Sequence, residues 1–211
     1  MQFAFLEDLD AYFCEKYANY DKLCVLEGYE MPVMQASKVD EFGRTYAYTL
    51  PADRMRLALQ ANKQELLLKL KEKMTDKSFS FSFCPISFWS KVGNLFAKVT
   101  FKKEFLALLA KYNLTQEQIK DGLTVNDDVW KMILGGSAEP TKNLVFSFAL
   151  VHHISYQDTK HLLAMCGRSF DFTQEKDVVI SYLLQNSVFN ADMVACALKE
   201  YKIINMFIKA E

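Results

Sequence analysis

The chain has 211 residues, 51% of them hydrophobic, which is enough to bury a core in one large domain or two small ones. Its 25 Lys and Arg against 26 Asp and Glu exclude a global field of the kind that gathers nucleic acid or anionic membrane. The start, Met1 to Asp8, turns acidic where a secretory leader needs a positive and then an apolar stretch, and no run reaches the roughly 18–20 apolar residues of a membrane helix, so a cytoplasmic protein is expected.

In chain order, Leu6, Leu9, Phe13 and Tyr17 recur at the three-and-four spacing of an amphipathic helix. Lys22 to Glu27 is a β-prone run punctuated by Gly28. Met31 to Gln35 and Arg44 to Leu50 are expected as two further strands around a polar turn near Asp40-Glu41-Phe42-Gly43. Pro51 stands where a first helical residue would, and Met55, Leu59, Leu66 and Leu70 predict a helix to about Met74. Ser78 to Phe83 alternates strictly, which puts three Phe rings on one face of a strand and three hydroxyls on the other. Phe88 to Val99 is amphipathic with Lys91 and Lys98 on its polar side. Such a helix can lie on a membrane, but a connecting helix with solvated lysines is the reading preferred. Strand signals stop there, which places a boundary near residues 97–101. The expected fold class is α+β: a 1–99 domain with a small antiparallel sheet, then an all-helical 100–211 domain.

The second half is placed by caps as well as by period. A helix from Phe101 to Tyr112 ends before Asn113. Thr115-Gln116-Glu117-Gln118 is a capping-box pattern, so a short helix is expected from Gln116. After the turn Gly122-Leu123-Thr124-Val125, Asn126 can cap a third helix with Asp127 and Asp128 in its first turn, and Gly135-Gly136 ends it. Pro140 is expected to open the next helix, Ser155 another that runs to Cys166 and stops at Gly167, and Asp177 to Leu184 and Asn190 to Leu198 carry the tail.

The run Leu114 to Thr159 resembles the helix-turn-helix core of phage-repressor-like proteins. It has Leu-Thr-Gln-Glu opening the second helix, Ile119, the turn pair Leu123 and Val125, and Trp130 and Ile133 on the inner face of the third helix. Gly136, Pro140 and the apolar helix from Leu144 also fall at the family's places. The later helices resemble those that follow such a core in a group of bacterial proteins, where the unit is appended to unrelated N-terminal domains. The resemblance implies fold more than function. A DNA-reading third helix presents cationic and amide donors from its first turn, whereas this one presents Asn126, Asp127, Asp128 and Lys131. Two carboxylates there repel a polyanion. Thr124 replaces the turn glycine and Lys120 the small residue at the helix crossing.

No catalytic centre, cofactor or metal is expected. Cys14, Cys24, Cys84, Cys166 and Cys196 have no CxxC spacing and are read as reduced, mostly buried thiols. His152 and His153 point about 100° apart on a regular helix and so cannot jointly ligate a metal; a helix end, with imidazoles on the last carbonyls, is expected instead. Gly135-Gly136 lacks the Lys-Ser/Thr of a phosphate loop. Contact with a protein partner or with itself is therefore the first reading. DNA regulation through Lys142, Asn143, Lys102 and Lys103 is the second, and an enzyme site in the first half the third. The candidate contact residues are Asn126, Lys131, Lys142 and Asn143.

Overall fold

The computed structural model describes residues 4–17, 35–39, 43–49, 63–75, 82–86 and 100–209. Helix α1, Phe5–Lys16, forms as its period predicts and buries Leu6, Leu9 and Phe13, with Tyr17 buried just beyond its end. Strands β1, Gln35–Val39, and β2, Thr45–Thr49, pair antiparallel, with Val39 opposite Thr45 and Gln35 opposite Thr49. Of the expected strand Met31 to Gln35 only Gln35 is described, and it begins β1, which runs on to Val39; residues 31–34 lie outside the described residues. In a hairpin the short connection sets the register, so the partner of Thr45–Thr49 is the segment immediately before the turn.

Helix α2 covers Lys63–Lys73 and buries Leu67 and Leu70, with Met74 buried after it. The expected helical residues 51–62 lie outside the described residues, as do the run Lys22 to Glu27, most of the Ser78 to Phe83 alternation, and the amphipathic stretch Phe88 to Val99. Strand β3, Phe83–Pro85, pairs antiparallel with β4, Ala138–Pro140. The second half is therefore not purely helical. Pro140 ends a strand opposite Phe83, and Thr141 instead caps the following helix by accepting from the Leu144 N–H. A helix start favours a side-chain acceptor for its unpaired N–H groups, which Thr141 has and Pro140 lacks.

Helix α3, Phe101–Lys111, is capped by Thr100 and ends before Asn113, which takes a left-handed conformation. The Thr115 capping box forms: its N–H donates to Gln118 Oε1 at 2.9 Å and its hydroxyl accepts from Gln118 N at 3.3 Å. Yet only a single 3-10 turn follows, Gln118–Lys120, in place of the expected helix from Gln116. It ends at Asp121, which is extended at ψ 137, and Gly122 at φ +69 then turns the chain so close to Val151 that an added Cβ would sit 2.7 Å from Cγ1.

Four longer helices and a further short one complete the bundle in the described residues. They are α4, Asp127–Gly135; α5, Lys142–Val151; α6, Tyr156–Met165; α7, Glu175–Gln185; and α8, Ala191–Glu200. Asn126, Ser155 and Asn190 cap three of them through their side chains, and Gly136 and Gly167 follow with positive φ. The centre is made by α5 and α7, each buried continuously over eight residues, Asn143 to Leu150 and Asp177 to Leu184. A helix apolar on every side has to be enclosed by others. Phe105, Trp130 and Phe148 meet with ring centroids 5.2 to 6.3 Å apart and join α3 and α4 to this centre.

Helices α1 and α2 are bound to the helical half. Tyr17 donates to Glu175 Oε1 at 2.6 Å, and Tyr12 and Ser181 share a hydrogen bond of 3.0 Å, which seats α1 on α7. Lys71 of α2, only 7% exposed, reaches Asp10 at 2.7 Å and Glu200 at 3.0 Å, while Tyr201 donates to Asp10 at 2.6 Å. Burial, followed by the Asp10 carboxylate, pushes the Tyr201 hydroxyl far above its ordinary pKa, so it remains a donor. Among the described cysteines, Cys14, Cys166 and Cys196 are half-buried and Cys84 is exposed, and all four are thiols outside any disulfide. Burial pushes the Cys166 thiol up to about 12, which leaves it un-ionised and a poor nucleophile.

Candidate functional site

The start of α4 is where the helix-turn-helix resemblance puts contact residues. Asn126 is consumed as a cap, its side-chain oxygen accepting from Asp128 N at 2.9 Å. Asp127 meets Lys120 at 3.2 Å and Asp128 meets Lys131 at 2.9 Å. The hydrogen bond and charge of Asp128 hold Lys131 above the ordinary lysine range. All four side chains remain well exposed, so water screens the pairs and neither adds much stability. Two acids balanced by two lysines leave this surface electrically near neutral. Lys102 lies at the other end of the helix, its Cδ 3.5 Å from where Gly136 would carry a Cβ, roughly 13 Å along the axis at 1.5 Å per residue.

Lys142 and Asn143 are turned inward. Lys142 donates to Asp177, which is 2% exposed and also accepts from the Asp171 N–H at 2.6 Å. Burial raises the Asp177 pKa above the usual carboxylate range, and its two donors offset that only in part. The pair ties α5 to α7 across the centre of the bundle. Both residues were expected at a contact surface; an 8% exposed Asn143 and a Lys142 committed to a buried carboxylate cannot present donors to phosphate.

Asn143 instead serves a contact that the sequence reading missed. Beyond α8 the chain runs extended back across the turn that leads into α4. Asn143 Nδ2 donates to the Asn205 carbonyl at 2.8 Å, and Phe207 N donates to Ser147 Oγ at 2.8 Å. Thr124 N donates to the Phe207 carbonyl and Lys209 N to the Gly122 carbonyl, both at 2.9 Å, closing an antiparallel bridge between Leu123 and Ile208. Ser147 is fully buried and donates its own hydrogen to the Asn143 carbonyl at 2.7 Å. The one available signal was the spacing: Asn143 and Ser147 are four apart and so share a face of an otherwise apolar helix.

The three histidines do not converge. His152 caps α5 as expected, but its Nε2 bonds the Ile119 carbonyl of the 3-10 turn, at 3.1 Å, rather than a carbonyl of its own helix. Burial lowers its pKa below the ordinary histidine value and keeps it neutral. His153, at φ 55, stacks on Phe189 with centroids 4.8 Å apart, while His161 pairs with Glu104 at 2.9 Å. No group of three His, Cys, Asp or Glu side chains is placed to hold a metal among the described residues. No helix in the described residues is long and apolar enough to cross a membrane. Comparison of the chain with protein-family models, with curated proteins and with solved structures finds no match.

Proposed function

We propose that this is a non-catalytic regulatory or adaptor protein of the cytoplasm that acts by contact with another protein or with itself. The observation that carries the reading is the seat made by the 122–124 turn with Asn143 and Ser147, which holds an extended polypeptide by its main chain. Strand addition of this kind is a recurring means by which one protein segment recognises another. The repressor-like arrangement in residues 100–211 then serves polypeptide rather than the major groove, with residues 1–99 as the variable part. The near-neutral start of α4 and the inward commitment of Lys142 and Asn143 support the same reading over DNA regulation.

The deciding experiment titrates the full-length chain with duplex DNA at low salt and, in parallel, cross-links it in native cells before purification with nuclease treatment. A reproducible protein contact that survives nuclease, together with no DNA binding, is expected. DNA affinity that falls steeply as salt is raised would overturn the reading, because counterion release dominates such binding.

A further inference from the structure

Four hydrogen bonds between the C-terminal segment and its seat go to the segment's main chain: to the carbonyls of Asn205 and Phe207 and from the N–H groups of Phe207 and Lys209. Ile203 is buried, and Met206, Phe207 and Ile208 pack against the core beside these bonds. The seat therefore holds extended backbone in one register together with apolar side chains, all of which an identical segment supplies. With the segment seated, the Asn143 amide and the Ser147 hydroxyl are both buried, so these bonds are made away from water. The segment 203–209 carries a single charged residue, Lys209, and nothing in it hinders approach to a copy of near-zero net charge.

The connection into this segment is short and strained. Tyr201 is anchored by its bond to Asp10, Ile203 is buried with its N–H on the Leu198 carbonyl at 2.8 Å, and the first group bonded to the seat itself is the Asn205 carbonyl. Between them Lys202 sits at φ +49, a left-handed conformation that costs a residue with a side chain, and Ile204 is 74% exposed. A short hinge under strain favours exchange of the element beyond it.

We propose that residues 203–209 exchange between two copies of the chain, each copy seating its segment on the 122–124 turn, Asn143 and Ser147 of the other. This rests on the reading of the protein as one that acts by protein contact, and it names a second copy as the partner. Exchange preserves the seat, because identical groups meet in the identical register. It alters the hinge: opened, the hinge releases Lys202 from its left-handed conformation, and two hinges running past each other let the exposed Ile204 side chains cover one another.

The test uses the full-length chain, followed by size separation with light scattering from micromolar to millimolar concentration. A monomer and a slowly interconverting dimer are expected. Lys202→Gly, which accepts the left-handed conformation freely, lowers the dimerisation constant on the order of tenfold, and Lys202→Pro, whose ring forbids it, raises the constant by a similar factor. Hydrogen exchange at Thr124, Phe207 and Lys209 should be equally slow in the two species, because the seat is filled in both; the response to the Lys202 variants separates exchange from association through another face. Circular dichroism checks the fold of Lys202→Pro; if it fails, the Lys202→Gly comparison decides. A chain that stays monomeric throughout overturns the proposal, as does a dimer indifferent to the Lys202 variants. In a final arm, a labelled peptide of residues 202–209 is added to the full-length chain. Its uptake by monomer with no dimer at any concentration assigns the seat to segments of other proteins, overturning the exchange while leaving the protein-contact reading intact.

Discussion

Ser147→Ala isolates the hydrogen bonding that holds the C-terminal segment. The hydroxyl is fully buried on α5 and accepts from Phe207 N at 2.8 Å while donating to the Asn143 carbonyl at 2.7 Å. Its removal leaves the Phe207 N–H without an acceptor but costs the Asn143 carbonyl little, since that carbonyl still serves the α-helix. One half-buried donor left unpaired costs about 1–2 kcal/mol. Local opening of the segment should then become roughly 5- to 30-fold more frequent, since about 1.4 kcal/mol is tenfold. The assay is amide hydrogen exchange: Thr124, Phe207 and Lys209 should exchange faster by that factor, while amides of α7 change little. Thr159→Val is the control, because the Thr159 hydroxyl is just as buried but bonds only the Ser155 carbonyl of its own helix start. Unchanged exchange at Phe207 in Ser147→Ala, or an equal acceleration in Thr159→Val, would refute the assignment of Ser147 as the acceptor that holds the segment.

Lys142→Met strands the 2% exposed Asp177 carboxylate and should destabilise the chain by about 3–5 kcal/mol in urea unfolding at neutral pH. Because burial already raises the Asp177 pKa, the loss should shrink as pH falls through the carboxylate range and Asp177 becomes neutral. Trp130→Phe removes a buried indole N–H that has no partner among the described residues while keeping the ring contacts with Phe105 and Phe148; the unfolding midpoint should change by less than about 1 kcal/mol in either direction, against the roughly 3–5 kcal/mol expected of Trp130→Ala. His152 has its pKa lowered by burial, so the unfolded chain takes up the proton first. Its contribution is present above about pH 6.5 and is lost as pH falls below it, and His152→Gln should flatten that part of the stability profile measured by thermal unfolding.

Much of the helical half is legible in the residues because its signals are local. Asn126, Ser155 and Asn190 satisfy N–H groups within three positions of themselves, and Gly136 and Gly167 close helices by adopting a positive φ that other residues resist. The period of Leu6, Leu9 and Phe13 likewise states which face of α1 is buried, though it does not say against what. The contact residues were read less well. Lys142 and Asn143 look like surface donors in the sequence, because a polar side chain beside an apolar run gives no sign of whether water or a buried partner awaits it.

That partner comes from far along the chain: Asp177 lies 35 residues after Lys142, and Asn205 lies 62 after Asn143. The same separation explains β4, whose three residues are a strand only because Phe83–Pro85 runs beside them. The capping box at Thr115 makes both its bonds yet yields one 3-10 turn, because the chain turns extended at Asp121. Helix ends and buried faces were settled within a few residues of sequence, where backbone geometry and capping act. Which polar groups face inward, and where the last extended segment lies, were settled only when distant helices closed and every buried donor had to find an acceptor.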